Sequence, residues 1–333
     1  FDDHYEIVSI FDKVNGREVL KPNKKGNVLV AYEDVSIEYD AWEVRDFYTE
    51  KAYPVNNVKK CELVDLGSKK GVKIYREFLG STIEQTILLS DSVPRIDFKT
   101  NVEWQQEHLM LKVKFPVDVF ADKATFDIQF GNIERSTTTN TTWEFAQFEE
   151  SMHKWADLSD NGFGLSVIND CKYGCDIKNG HIRPTLFRCA TNPNHIQDRE
   201  HHSFSFSIYP HSKRVNDSDV VKEGYNVNFP LYAIPQKAQE GTLAPEYSLV
   251  SCDKENVVIE TVKVAEDSDN IIVRAFETWN SKTPVTLTFC DVIESATECN
   301  LMEEEDEAVA FAGNTLTATF KPFEIKTFKV KFK

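Results

Sequence analysis

Chemically versatile side chains concentrate in a few short stretches of the sequence. The densest begins at His153-Lys154-Trp155-Ala156-Asp157-Leu158-Ser159 and passes through Asn161-Gly162 and Leu165-Ser166-Val167-Ile168. It ends at Asn169-Asp170-Cys171-Lys172-Tyr173-Gly174. A polar loop there leads through a hairpin into a short buried strand, which delivers an amide, a carboxylate, an ammonium and a phenol to one point. Such a set suits the rim of a sugar site, since hydroxyls need fixed donors and acceptors beside a flat apolar surface. A hydrogen-bonded turn packing two sheets uses the same residues, and the residues alone leave both readings open.

A second cluster, Tyr39-Asp40-Ala41-Trp42-Glu43-Val44-Arg45-Asp46-Phe47, alternates aromatic and acidic residues. Trp42 can stack on the C–H face of a sugar while Asp40 accepts from its hydroxyls, or Trp42 can pack at a domain interface. The third cluster runs from Asn132 to Trp143 and places Glu134 beside Arg135 as a candidate ion pair. His201-His202, with His195 and His211 nearby, invites a metal reading. Neighbouring strand residues point to opposite faces, however, so these two histidines do not share an ion and a structural role is favoured. Cys171 and Cys175 lack the spacing of a zinc knuckle. The sequence contains no phosphate loop, dinucleotide glycine pattern, nucleophile elbow or zinc helix. No spacing singles out a catalytic pair among its 54 acids.

The elements that must position these groups are strands. Phe204, Phe206 and Ile208 alternate with serines, the pattern of a strand with one buried face. Asn15-Gly16, Asn161-Gly162 and Asn179-Gly180 separate strand-like runs, and Gly313-Asn314 adds another turn. Near the C-terminus Phe323 and Ile325 give way to Phe328, Val330 and Phe332, a one-residue slip that predicts a bulge at Lys326-Thr327. Lys329, Lys331 and Lys333 would then face solvent and guard an edge. No window carries a sustained helical period. The chain therefore reads as all-β: a large antiparallel assembly over residues 1–210, an extended connector over 211–245 rich in proline and polar residues, and a small β-sandwich over 246–333. The run Glu303-Glu304-Glu305-Asp306-Glu307 reads as a solvated loop.

With 38 Lys+Arg against 54 Asp+Glu over 333 residues, the net charge is −16. Nucleic-acid binding relies on basic density to displace counterions, so that class of partner is excluded. No stretch approaches the ~20 apolar residues of a membrane span. The seven cysteines are odd in number and scattered, which predicts reduced thiols and a cytoplasmic setting. The sequence opens on Phe1 and enters a strand-like run at once, as an excised piece of a longer protein would.

Taken in order, the clusters resemble the C-terminal region of glycoside hydrolase family 38 α-mannosidases, in particular the bacterial and cytosolic branch. The resemblance is carried by Glu134-Arg135-Ser136-Thr137, Asn140-Thr141-Thr142-Trp143-Glu144, His153-Lys154-Trp155-Ala156-Asp157 and Asn169-Asp170-Cys171-Lys172-Tyr173-Gly174. Asp40-Ala41-Trp42 and Ile10-Phe11-Asp12-Lys13 fit the opening of that region. Arg199-Glu200-His201-His202 and Phe206-Ser207-Ile208-Tyr209-Pro210-His211 fit its close, and Arg274-Ala275-Phe276-Glu277 fits the small sandwich that follows.

The resemblance implies a galactose-mutarotase-like super-sandwich followed by a small β-sandwich. It also implies a retaining hydrolase of α-mannosides or mannose-containing oligosaccharides. In that family the aspartate nucleophile and the ligands of one zinc ion lie upstream, so this chain is expected to hold neither, to bind no metal and to be inactive alone. Its expected role is to pack on its own N-terminal catalytic domain and wall the substrate pocket. Asn169, Asp170, Lys172 and Tyr173, with Asp40 and Trp42, are the substrate-binding candidates. Cys175 stands where relatives are expected to carry an aromatic residue. Homo-oligomerisation is left open. Two alternatives stand beside this reading: an autonomous sugar-binding module built on the Trp/Asp cluster, and a mutarotase-like enzyme using Glu200 and His202.

Overall fold

The computed structural model describes all residues from Phe1 to Lys333 except Leu243, Glu305 and Asp306. The chain divides into two compact units, one holding residues 1–128 and 133–230, the other residues 129–132 and 231–333. Among the described residues the larger unit contains a nine-stranded and a six-stranded antiparallel sheet. The nine-stranded sheet is centred on Phe163–Asn169, His201–Ser212 and Ile96–Glu103; the six-stranded sheet on His181–Phe187, Leu109–Pro116 and Val28–Glu33.

Alternation decides which face each strand turns inward. Phe204, Phe206 and Ile208 are buried as their spacing predicts, and Phe206 stacks on Phe98 of the adjacent strand with ring centroids 4.7 Å apart. Phe115 of the opposite sheet meets both rings edge-on, so one apolar core joins the two sheets. Asn179 and Gly180, at φ 53° and 71°, form the two-residue turn between Gly174–Lys178 and His181–Phe187, where Lys178 pairs with His181. Both central residues of such a turn take positive φ, which asparagine and glycine accept.

Gly71 has a packing reason instead: a Cβ added there would lie 1.8 Å from the Ile87 carbonyl oxygen of the neighbouring strand. Gly71→Ala is therefore expected to lower stability by about 1–3 kcal/mol, the range of overpacked core substitutions, read from the urea midpoint of the large unit.

The smaller unit packs a four-stranded against a five-stranded sheet around Val273, Leu287, Phe320 and Phe328. Its buried Glu277 accepts from Asn256 Nδ2 at 2.9 Å and from the backbone N–H groups of Trp279, Ser281 and Phe323 at 2.7, 3.1 and 3.0 Å. One carboxylate thereby pins three loop positions of the sandwich.

Several expectations need correction. The predicted connector is not extended throughout: His211 and Ser212 complete a long strand, and Val220–Asn228 is a helix whose Val220 packs on Trp155, Ile168 and Tyr209. No bulge interrupts Ile325–Phe332, which pairs in continuous register with Ile271–Glu277. That strand is flanked on both sides, so it guards no edge, and Lys329 is buried with its ammonium on the Glu303 carbonyl at 2.8 Å. The slip therefore stands: Ile325 and Phe328 lie on opposite faces of the strand, with Phe328 and Val330 in the core and Ile325 half-buried outside it. Of the acidic run, Glu305 and Asp306 lie outside the described residues, while Glu303 is buried and bound to Lys263 at 2.7 Å.

Candidate functional site

The end of strand Phe163–Asn169 gathers the expected polar groups on a tight turn. Asn169 is fully buried; its Nδ2 donates to the His153 carbonyl at 2.7 Å, and its Oδ1 accepts from Lys172 N–H at 2.8 Å. Asn228, on the helix end, donates to the Asn169 carbonyl at 2.9 Å. The amide is thus spent on the turn, and its effect is to present the residues that follow.

Asp170 Oδ2 accepts from Ser205 N–H at 2.9 Å, while its Oδ1 is buried with no donor at hydrogen-bond distance beyond the weak one of the neighbouring Cys171 thiol. A carboxylate oxygen served only by a thiol keeps capacity for a stronger donor such as a hydroxyl. The neighbouring Cys171 thiol is pushed up to about 11, first by burial and then by Asp170, so it stays protonated. Lys172 extends its ammonium over the Phe204 ring, 4.8 Å from the centroid. Tyr173 is 50% exposed, with its ring 5.9 Å from that of His153 and its carbonyl accepting from Met152 N–H at 2.7 Å.

Beside this turn, Asp127 Oδ2 accepts from Lys154 N–H at 2.8 Å and faces the Lys154 ammonium at 3.7 Å. Burial pushes the Asp127 carboxyl up, against the pull of Lys154. The Lys154 ammonium also sits 4.7 Å from the centroid of Tyr225. Asp127 and Tyr225 were not among the sequence candidates. The carboxylate at the end of the apolar run Ala124-Thr125-Phe126 was the available signal for the first. Tyr225 lies on the helix that sequence periodicity missed.

Asp40 and Trp42 lie elsewhere, on the segment over the outer face of the six-stranded sheet. Asp40 is a clamp: Oδ2 accepts from Thr191 N–H at 2.7 Å and Oδ1 from Asn192 N–H at 2.8 Å. Burial raises its pKa, and these bonds more than offset that and hold it below the usual range. Trp42 is 71% exposed, edge-on to Tyr39 at 6.0 Å.

Glu134 and Arg135 do not pair with each other: Glu134 meets Lys123 at 2.9 Å and Arg135 meets Glu150 at 3.1 Å. His202 stacks on Phe187 and contacts the Asp198 carbonyl at 2.7 Å, while His201 contacts Glu103 at 2.7 Å. The imidazole of the mutarotase alternative is therefore engaged by its surroundings. Among the described residues no three His, Cys, Asp or Glu side chains converge as a metal ion requires, and the zinc ligands that the resemblance implies are expected upstream of this chain. The site offers donors, acceptors and a ring.

Two profiles match in order: the glycosyl hydrolases family 38 C-terminal domain over residues 1–195 and the family 38 C-terminal beta sandwich domain over residues 256–328. The chain belongs to glycoside hydrolase family 38. It is similar to alpha-mannosidase 2C1 of Homo sapiens, at 34% identity over 96% of this chain and 31% of that protein. Alpha-mannosidase G of Dictyostelium discoideum is 35% identical over 97% of this chain and 31% of its own length. The chain thus spans under a third of these two relatives. An alpha-mannosidase from Enterococcus faecalis V583 shares the fold with a TM-score of 0.81 and 18% identity, over 99% of this chain and 41% of that one. The family 38 chain is accordingly the C-terminal β region, and the turn at Asn169–Tyr173 lies within the first matched domain.

Proposed function

We propose that this family 38 chain is the C-terminal part of an α-mannosidase that releases α-linked mannose with retention of configuration. In this reading the upstream catalytic domain supplies the nucleophile and the zinc. The β region packs on that domain and walls the substrate pocket. Asp170, Lys172 and Tyr173 face the sugar, and Asn169 holds them in place.

The observation that carries the wall assignment is the half-exposed Tyr173 beside Asp170, whose Oδ1 has only the Cys171 thiol as a donor, on a turn fixed by Asn169 at both ends of its amide. A carboxylate accepts from vicinal hydroxyls, and a phenol both donates and accepts. The two relatives named as alpha-mannosidases support the activity.

The test is turnover of an aryl α-mannoside by the full-length protein and by its Tyr173→Ala variant. The full-length protein is expected to turn over, and the variant to lose about 10–100-fold in kcat/KM, as loss of one or two substrate hydrogen bonds predicts. An inactive full-length protein overturns the activity. An unaffected variant overturns the wall assignment.

A further inference from the structure

Residues 35–47 and 142–148 cover the outer face of the six-stranded sheet, and their two sides differ in kind. The underside is anchored. Val44 and Phe148 pack with Tyr48 onto Val30, Tyr32 and Met110. Arg188 bonds Asp34 through both its Nε and Nη2, at 2.5 and 3.0 Å, and Nη2 also reaches the Glu43 carbonyl at 2.6 Å. Asp40 clamps Thr191 and Asn192. Helix Thr142–Ala146 is closed by a capping box between Thr141 and Glu144, and Lys178 donates to the Glu144 carbonyl at 3.2 Å.

The upper side carries Ile37, Tyr39, Trp42, Phe47, Trp143 and Phe145, all exposed, with Trp143 at 85%. A rigid cover that ended at solvent would turn polar residues outward. This one turns large apolar side chains to water, with aromatics prominent, as a protein contact surface does before it is covered.

We propose that these two segments form the seat on which the catalytic portion of the full-length enzyme docks. The assignment rests on the reading of the chain as the C-terminal part of such an enzyme. The occupant is argued from length: the curated relatives are matched over 31% of their own sequence, so most of the polypeptide that could cover this surface lies outside the chain. Charge specifies it further. Exposed Glu38 and Asp46 lie along the first segment and exposed Glu50 just beyond it, so the face of the occupant that docks here has an apolar centre and a basic rim. Trp42 passes from sugar platform to protein contact, since the carboxylate expected to work beside it is committed to the backbone of Thr191 and Asn192.

Hydroxyl-radical footprinting of the full-length protein tests this, with turnover of an aryl α-mannoside measured on the same sample. Trp42 and Trp143 are expected to oxidise roughly tenfold more slowly in the native protein than after unfolding, as side chains in a covered interface core do. Oxidation of both at close to the unfolded rate overturns the seat. So does protection that vanishes on dilution, which would mean a second copy, and protection that needs added mannoside, which would mean a sugar platform. An active sample with unprotected tryptophans removes the seat and leaves the glycosidase reading standing; an inactive sample with protected tryptophans does the reverse.

Discussion

Lys112→Met is expected to cost the large unit about 3–5 kcal/mol near neutral pH, the range found when one partner of a buried ion pair is removed. Lys112 is fully buried in strand Leu109–Pro116, on the face away from the main core. Its ammonium meets Glu149 and, at 2.8 Å, Asp176, and it lies 5.6 Å from the centroid of the Tyr48 ring. Burial disfavours the charge, but the carboxylates of Asp176 and Glu149 outweigh it and keep the ammonium protonated. Without Lys112, two carboxylates share a low-dielectric space with too little compensation.

The pH dependence follows from Glu149, whose carboxyl is pushed up by burial first and by Asp176 as well, despite Lys112. A carboxyl raised in the fold takes up its proton before the unfolded chain does. The loss in Lys112→Met is therefore greatest above the folded-state pKa and shrinks as pH falls toward the ordinary value near ~4.3. Adding Glu149→Gln leaves Asp176 with Arg183, whose Nε donates to it at 2.6 Å, and is expected to recover most of the stability. Urea midpoints of the two variants across pH check both statements. Equal loss in the single and double variants would show that volume, and not charge, sets the cost.

This network also shows what the sequence conceals. Leu109, Leu111, Val113 and Phe115 alternate with Met110, Lys112 and Lys114, a strand not singled out from the sequence. Its second face is buried because residues 44–48 and 148–149 fold back over it, and nothing local to the strand announces a cover so distant in sequence. The same limit applies to Asp40, where alternation with aromatics suggested a sugar contact and tertiary structure supplied Thr191 and Asn192 instead.

Local chemistry was legible where the geometry is local. Asn179-Gly180 set its own turn, and the serine and phenylalanine alternation at 203–208 set its own faces. The turn at Asn169–Tyr173 lies between: its presence was readable from residue types, but the reason Asn169 is required is its bond to His153, sixteen positions earlier. The C-terminal slip was misread because the strand runs straight on through Lys326-Thr327 and leaves Ile325 half-buried on the face opposite Phe328, where a bulge would have returned it to the core.

Asp157→Asn is the second large effect, and its signature is a reversal of the pH slope. Asp157 is buried and accepts from Ser166 Oγ at 2.7 Å, Ser159 Oγ at 2.7 Å and His211 Nε2 at 2.8 Å. His211 is buried too, stacked beside Tyr209 in the layer that packs under helix Val220–Asn228. Burial alone would push the imidazole down; the Asp157 carboxylate outweighs it, so His211 titrates above its ordinary range.

A group raised in the fold stabilises fully below its unfolded pKa, near ~6.5, and that contribution is lost as pH rises through the folded value. The wild-type chain is therefore expected to lose stability with rising pH over that window. In Asp157→Asn burial is opposed only by the backbone at Ser212 and Lys213, and His211 is expected to be neutral in the fold. The unfolded chain then takes up the proton first, so stability falls as pH drops below ~6.5. At the acid end the variant is expected to lose about 3–5 kcal/mol, because a buried imidazolium would have no counter-charge. Ser166→Ala removes one of three donors and is expected to cost about 1 kcal/mol with the slope unchanged. Urea unfolding between about pH 5 and 8 separates the two. Parallel pH profiles for the wild type and Asp157→Asn would show that the carboxylate acts only as a hydrogen-bond acceptor there, and that His211 is neutral in the native protein.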